Sequence, residues 1–413
     1  MSRRVVNESS TQDRASTARP IGITRRQYLR TSALVGATAG FAGCLGGADD
    51  SLTVGYVLPF TGVYSLLGDS IVDGFEMYVD EQGGEIAGQE VEFVSRDTEA
   101  DTDTGVSVAR ELLVEAGADA LVGPVSSAVA IAMMQTVENE SSAIWLNANA
   151  GDYRVVQDGC LPYHFRTSFN DWQTSAPLAP WVYENVADNV VITYADYAFG
   201  QNSRDFFAEA FEEAGGEVLG EVTVPLGTDD FSPYMGDIEG SGADAVYSFF
   251  AGSDAVNYVT QFHEFGLDEE MVQTGSGFLL DEDSLPAQGS AAVGKYSLLH
   301  YASNHERTQE FVESYREEHD EIPNVYACQG YDSAQAFELA IEEGGTDLDA
   351  MVEALRGAEI DSPRGDFSFH PETNDPVQDM YVREVVEGDD GPENEVVETI
   401  EAVESPAWGC SLD

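Results

Sequence analysis

Lysine is all but missing from this chain. Lys295 stands alone among 413 residues, and all cations together number 18 against 76 Asp and Glu, a net charge of −58. Such a surface has no basic stripe with which to displace counterions from phosphates, so nucleic acid is excluded as a partner. Cysteine is scarce as well: there are four and no CxxC pair, which argues against a structural zinc site. No apolar run reaches the ~18 residues that a bilayer-spanning helix needs. The six histidines form no HExxH, and GxSxG, P-loop and GxGxxG patterns are absent. With 76 acids, any pair of carboxylates has a spacing that chance explains. These absences leave no sign of an enzyme, and neither a metal nor a cofactor is expected.

What remains is ample for a core. Apolar residues make up 43% and aromatics 10%, and the length suggests two lobes. The acid is spread along the chain, unlike a disordered acidic tail. At about 1 M salt the Debye length falls to roughly 3 Å and screens such self-repulsion, so the composition reads as that of a halophile.

The first fifty residues read as an address. Thr24-Arg25-Arg26-Gln27-Tyr28-Leu29-Arg30 is a twin-arginine signal. The small apolar stretch from Thr31 to Gly43 is too short to span a membrane and serves as a signal core. Phe41-Ala42-Gly43-Cys44 resembles a lipobox of the haloarchaeal lipoprotein type, with Cys44 the lipidated residue. Residues 1–43 are then the signal peptide and 44–51 a lipidated tether. The protein is expected outside the cell, attached to the membrane through Cys44. Cys160, Cys328 and Cys410 allow one disulfide and one leftover thiol, with the pairing open.

From Leu52 onward strand and helix patterns alternate. Leu52, Val54, Tyr56 and Leu58 have strand periodicity, and Leu66–Asp80 has helical periodicity ended by Gly83-Gly84. A helix from Thr104 has Asp103 as its expected N-cap, and one over Ala128–Glu140 has Ser126-Ser127 in the capping position. The rhythm restarts after Arg166, with strands at Val190–Tyr194, Val218–Val224, Ala245–Phe249 and Met271–Thr274. Tyr296–Tyr301 is expected to carry the chain back to the first lobe. Further helices fit Thr308–His319, Val325–Glu342 and Leu348–Leu355, and Phe367–Phe369 and Met380–Val386 read as strands. The fold class is α/β: two doubly wound, Rossmann-like lobes with a cleft between them. Lobe I is expected at 52–166 plus 301–369 and lobe II at 167–300 plus 370–405. The crossings fall near Arg166-Thr167, His300-Tyr301 and Phe369-His370.

Several strand-end segments carry a resemblance. They are Val57-Leu58-Pro59-Phe60-Thr61-Gly62, Leu121-Val122-Gly123-Pro124-Val125-Ser126-Ser127, and Trp145 to Gly151 running on to Phe165-Arg166-Thr167-Ser168. Phe249-Phe250-Ala251-Gly252 and Tyr326 to Asp332 fit as well. In order and spacing the chain resembles the leucine/isoleucine/valine-binding proteins, solute-binding subunits of ABC importers with the type I periplasmic-binding fold. The resemblance implies a lipid-anchored receptor that closes by a hinge motion over a small solute, a branched-chain amino acid or a related carboxylate, and delivers it to a permease. It also implies site residues: Ser126 and Ser127 at a helix N-terminus, Ala150 and Gly151 in a strand-end loop, Leu67 and Phe199 as walls, with Phe250, Gly277 and Tyr326. Family members that bind aliphatic amino acids place a Glu where this chain has Gly277, with Asp281, Glu282 and Asp283 following. Asn149-Ala150-Gly151 and Phe249-Phe250-Ala251-Gly252 look more like the branch that binds aromatic or other carboxylates, and an aromatic acid or an amide is the alternative ligand within the family. A sensory lipoprotein serving a membrane receptor is the alternative from another class.

Overall fold

The computed structural model describes residues 51–62, 64–388 and 391–412. The twin-arginine signal and Cys44 lie outside these residues. Among the described residues no helix is long and apolar enough to cross a membrane.

The first sheet is built from β1 (Leu52–Leu58), β2 (Glu85–Ile86), β3 (Gln89–Asp97), β4 (Ala120–Val122), β5 (Ile144–Asn147) and β6 (His164–Arg166). Its order is β2-β3-β1-β4-β5-β6, parallel except for the β2–β3 pair. α1 (Ser65–Glu81), α2 (Thr102–Arg110) and α3 (Ser127–Glu140) connect its strands. The inner strands β1, β4 and β5 are largely apolar on both faces because helices cover both. The cap of α2 is Asp101, whose Oδ1 accepts from Thr104 N at 2.9 Å; the expected Asp103 lies one turn-position inside. Ser126 occupies the N-cap of α3, but its side chain makes no capping bond.

The second sheet follows α4 (Leu178–Asn185) and repeats the plan. β7 (Asn189–Ala195), α5 (Ala198–Ala214), β8 (Glu217–Val224), α6 (Ser232–Gly240), β9 (Ala245–Phe249), α7 (Gly252–Glu264) and β10 (Val272–Ser276) lead through α8 (Leu285–Gln288) to β11 (Tyr296–Leu299). The parallel strands run β8-β7-β9-β10-β11. β11 thus completes the second sheet, and the chain leaves it only at His300-Tyr301. α9 (Gln309–His319), α10 (Val325–Gly344) and α11 (Leu348–Leu355) come next, with α10 packed along α1. The short strands β12 (Glu359–Ile360) and β13 (Phe367–Phe369) pair onto β14 (Pro376–Gly388), which runs antiparallel to β11. β15 (Gly391–Val403) pairs with β14 along its length. The sequence pattern misses β15 because Glu393, Glu395, Glu398 and Glu401 interrupt it and most of it is exposed.

The parallel cores of the two sheets, β3-β1-β4-β5-β6 and β8-β7-β9-β10-β11, have the same order, so each has a switch point where the winding reverses: β1/β4 in the first and β7/β9 in the second. Ligands of open α/β sheets bind beyond the carboxyl ends of strands at such points. A matching device serves both. A Cβ on Gly68 of α1 would lie 2.0 Å from Pro59 O, and one on Gly200 of α5 would lie 2.0 Å from Ala195 O. Only glycine lets each helix start that close to the end of its strand.

Among the described residues three arginines are wholly buried and bond backbone at the crossings between sheets: Arg166, Arg364 and Arg383. Arg166 Nε pairs with Asp375 Oδ1 at 2.7 Å, and its other nitrogens hold the carbonyls of Ala150, Phe169 and Asp152. Arg364 Nε pairs with Asp332 Oδ2 at 2.7 Å and bonds Gln378 and the Thr167 carbonyl. Arg383 reaches Glu282 at 3.5 Å and the carbonyls of Tyr301 and Gly277 at 2.8 and 3.0 Å. Cys160 and Cys410 form the disulfide, and Cys328 is the buried thiol.

Replacing Asp375 by Asn leaves Arg166 charged and buried without its carboxylate. Loss of about 3–5 kcal/mol is expected in urea unfolding. Glu404→Gln, which removes a partner of His370 at an exposed carboxylate, is expected to cost under about 1 kcal/mol.

Candidate functional site

A cavity of about 330 Å³ opens where the two switch points face each other. The first lobe contributes Tyr64 and Leu67 at the start of α1, Val125 to Ala128 at the start of α3, Asn149 and Gly151 beyond β5, and Tyr326 in the first turn of α10. The second lobe contributes Tyr197 and Phe199 beyond β7, Phe249 and Ala251 at the end of β9, and Phe278 beyond β10. Phe169, on the first crossing, lies between them.

Of the residues expected from the sequence, Ser126, Ser127, Gly151, Leu67, Phe199 and Tyr326 come together on this cavity. Ala150, Phe250 and Gly277 lie one residue away from its wall. Ala150 is turned inward, its carbonyl taken by Arg166 Nη1 at 2.6 Å and Asn147 Nδ2 at 2.9 Å. Phe250 packs on Tyr258 and Phe231, with centroids at 4.5 and 5.2 Å, on the far side from Phe249. Gly277 is pressed against Leu299, and its carbonyl accepts from Arg383. The residues that sequence reasoning passed over are their neighbours: Asn149, Phe249 and Phe278, together with Tyr64, Tyr197 and Phe169. Alternation along a strand end would have put Phe249 and Phe250 on opposite sides, but no periodicity tells which side faces a cleft.

The anion-binding potential of the cavity comes from α3. Its first internal bond runs from Ala130 N to Ser126 O at 3.0 Å, so the N–H groups of 127–129 precede the ladder. With no side-chain cap on Ser126, they are free for an external acceptor, and the helix dipole favours a negative one. Ser127 Oγ accepts from Asp152 N at 3.3 Å, which leaves its own proton to donate. Behind this wall a buried polar chain fixes the loop: Asn149 Nδ2 donates to Gln329 Oε1 at 2.9 Å, and Gln329 Nε2 lies 3.2 Å from His300 Nε2. Burial, with Arg364 and Arg383 nearby, holds the His300 pKa well below the usual imidazole value, so the ring is neutral at pH 7.

The remaining walls are aromatic. Phe169 lies 4.9 Å from Phe278 and 6.0 Å from Phe199, and Phe199 lies 4.8 Å from Phe249. No charged side chain lines the cavity among the described residues. Asp281, Glu282 and Asp283 do not reach it. Glu282 bonds Asn394 and Ser303, and Asp283 Oδ2 accepts from Asn324 Nδ2 at 2.7 Å. Asp281 is buried, and its pKa is pushed well up by burial and by the neighbouring Glu282 and Asp283 charges. Among the described residues no group of three or more His, Cys, Asp or Glu is placed to hold a metal ion.

Two wound lobes joined by crossings, with an uncapped helix N-terminus and aromatic walls facing a shared cleft, define a bilobal binding protein for a small solute. The chain belongs to the periplasmic binding protein family, whose model matches residues 51–392, and has its type I fold. It is 34% identical over 370 residues to Leu/Ile/Val-binding protein homolog 6 of Brucella melitensis, covering 86% of this chain and 93% of that one. Among solved structures it is similar to the solute-binding protein of an ABC transporter from R. palustris in complex with benzoate. That match has 30% identity and a TM-score of 0.81, with 88% of this chain and all (100%) of that one covered. A Rhodopseudomonas palustris solute-binding protein in complex with p-hydroxybenzoic acid matches at 30% identity and a TM-score of 0.82, covering 87% and 99%. The chain is thus a solute-binding protein of the ABC-transporter type, a family of binders and not enzymes.

A Cβ at Gly151 would lie 2.6 Å from Phe169 Cε2 and 2.8 Å from Phe199 Cε2. Gly151→Ala is therefore expected to destabilise the fold by about 1–3 kcal/mol through overpacking. In a double-mutant cycle Phe199→Leu should recover part of that loss, a coupling of at least about 0.5 kcal/mol measured by denaturant unfolding.

Proposed function

We propose that this chain is the receptor of an ABC importer for an aromatic monocarboxylate. The observation that carries the reading is the absence of any charged side chain on a cavity walled by aromatics and by the open N-terminus of α3. A carboxylate is satisfied there by backbone N–H groups and the Ser127 hydroxyl without a cation. A benzene ring is matched by Phe169, Phe199, Phe249 and Phe278. An α-amino acid fits less well. Its ammonium sits within one carbon of its carboxylate and would be enclosed beside α3 without a counter-charge, at a cost of several kcal/mol. The relatives that bind benzoate and p-hydroxybenzoic acid, both at 30% identity, support the same class.

Closure follows from ligand contacts on both lobes, which favour the closed arrangement over an open one by their differential affinity. The crossings at Arg166-Thr167, His300-Tyr301 and Phe369-His370 serve as the hinge. The closed receptor then presents both lobes to a membrane permease. Export by the twin-arginine route and a lipid on Cys44 hold it at the outer face of the membrane, where so acidic a surface suits concentrated salt.

Thermal unfolding of the mature chain in molar salt tests the ligand class. Benzoate-type acids at 100 times Kd are expected to add about 2.7 kcal/mol and raise the midpoint, with leucine, isoleucine and valine leaving it unchanged. A rise with leucine alone would refute the aromatic reading in favour of the amino acid. Cys44→Ser is expected to release the protein into the medium, measured by fractionating cells and supernatant.

A further inference from the structure

The aromatic-acid reading leaves one polar feature of the cavity unused, the hydroxyl of Tyr326. This residue is 4% exposed, lines the cavity, and sets its ring within 24° of parallel to Phe278 at 6.5 Å. Among the described residues no hydrogen bond reaches its hydroxyl. Two more tyrosines line the same cavity, Tyr64 from the first lobe and Tyr197 from the second, with their hydroxyls set against one another. An acidic segment follows Phe278: Asp281 is buried at 3% exposure, and Asp283 is held by Asn324, two residues before Tyr326. Burial first, then the charges of Asp281 and Asp283, push the Tyr326 hydroxyl well above the usual phenol range. It is therefore a neutral donor and acceptor.

We propose that Tyr326, with Tyr64 and Tyr197, receives a ring hydroxyl of the ligand, so that the site selects hydroxylated aromatic monocarboxylates over the unsubstituted acid and over aromatic dicarboxylates. This inference rests on the aromatic-acid reading above. The cavity then has two unlike regions. The start of α3 takes the carboxylate, through N–H groups and a helix dipole that favour negative charge. The tyrosine group takes a neutral hydroxyl, because it offers hydroxyls and no cation. Bound benzoate leaves the buried Tyr326 hydroxyl without a partner, which costs affinity; a ring hydroxyl supplies one. A second carboxylate beside the tyrosines finds no cation on the cavity wall, and its desolvation is not repaid.

The test is calorimetric titration of the mature chain in molar salt with benzoate, 3-hydroxybenzoate, 4-hydroxybenzoate and terephthalate. The same titrations are run on Tyr326→Phe and Tyr197→Phe, both of which keep the ring. At least one hydroxybenzoate is expected to bind about tenfold tighter than benzoate, and terephthalate at least about tenfold weaker than that hydroxybenzoate. In Tyr326→Phe the ratio of hydroxybenzoate to benzoate affinity is expected to fall to within about threefold of unity, with a partial fall in Tyr197→Phe. If benzoate equals both hydroxybenzoates, if terephthalate equals the tighter of them, or if the ratio survives in both variants, the inference fails and the aromatic-acid reading stands. If none of the four acids binds the folded chain, both fail.

Discussion

The architecture depends on burying positive charge at the crossings. Among the described residues three arginines lie wholly inside with their forks on backbone that passes between lobes, and Lys295 is buried as well. Irregular backbone at such places has carbonyls that no sheet ladder satisfies, and they must find donors. Arginine suits this task because its planar fork has five N–H groups and stays charged when dehydrated. Each fork here takes one carboxylate, from Asp375, Asp332 or Glu282, and fills its remaining positions largely with carbonyls. An ammonium, with three donors and a strong hydration shell, would satisfy fewer acceptors at greater desolvation cost.

The binding cavity inherits its shape from the same clusters. Arg166 holds the carbonyls that flank Gly151 and the carbonyl of Phe169, and Arg383 holds the carbonyl immediately before Phe278. The rings of the cleft therefore stand on loops pinned by buried charge, which gives loop residues the positional definition of a regular element. The duplicated winding does the rest. Gly68 and Gly200 bring the first helix of each lobe down onto its strand, and the two switch points meet face to face.

Much of this was legible in the sequence. The alternation of strand and helix marked both lobes because their parallel strands are short apolar runs cut by Gly, Pro and polar turns, and the helices have strong 3.6-residue periodicity. The final hairpin was less visible, since β15 is exposed on much of its length and its acids mask the pattern. The lining of the cavity was legible to within a residue. Ser126, Ser127 and Gly151 could be placed because strand, loop and helix start follow one another there in a fixed order. Phe249 and Phe278 were missed for Phe250 and Gly277, because the choice depends on which side of a strand end faces the second lobe. Asp101 against Asp103 is the same kind of error at a helix start, where two aspartates two residues apart compete for one geometry. The buried arginines were invisible: nothing in the neighbourhood of Arg364 or Arg383 in sequence announces a partner tens of residues away.

The bond between Cys160 and Cys410 spans 250 residues, and everything from the approach to β6 through the end of β15 lies inside it. The whole second sheet is thus enclosed in a covalent ring, entered and left on the same side. A protease that cuts one exposed loop of that ring leaves two fragments still joined by sulfur, each gripping the other through shared strands. For a receptor working outside the cell, beyond the reach of repair, a single nick is then a scar and not a loss of half the molecule.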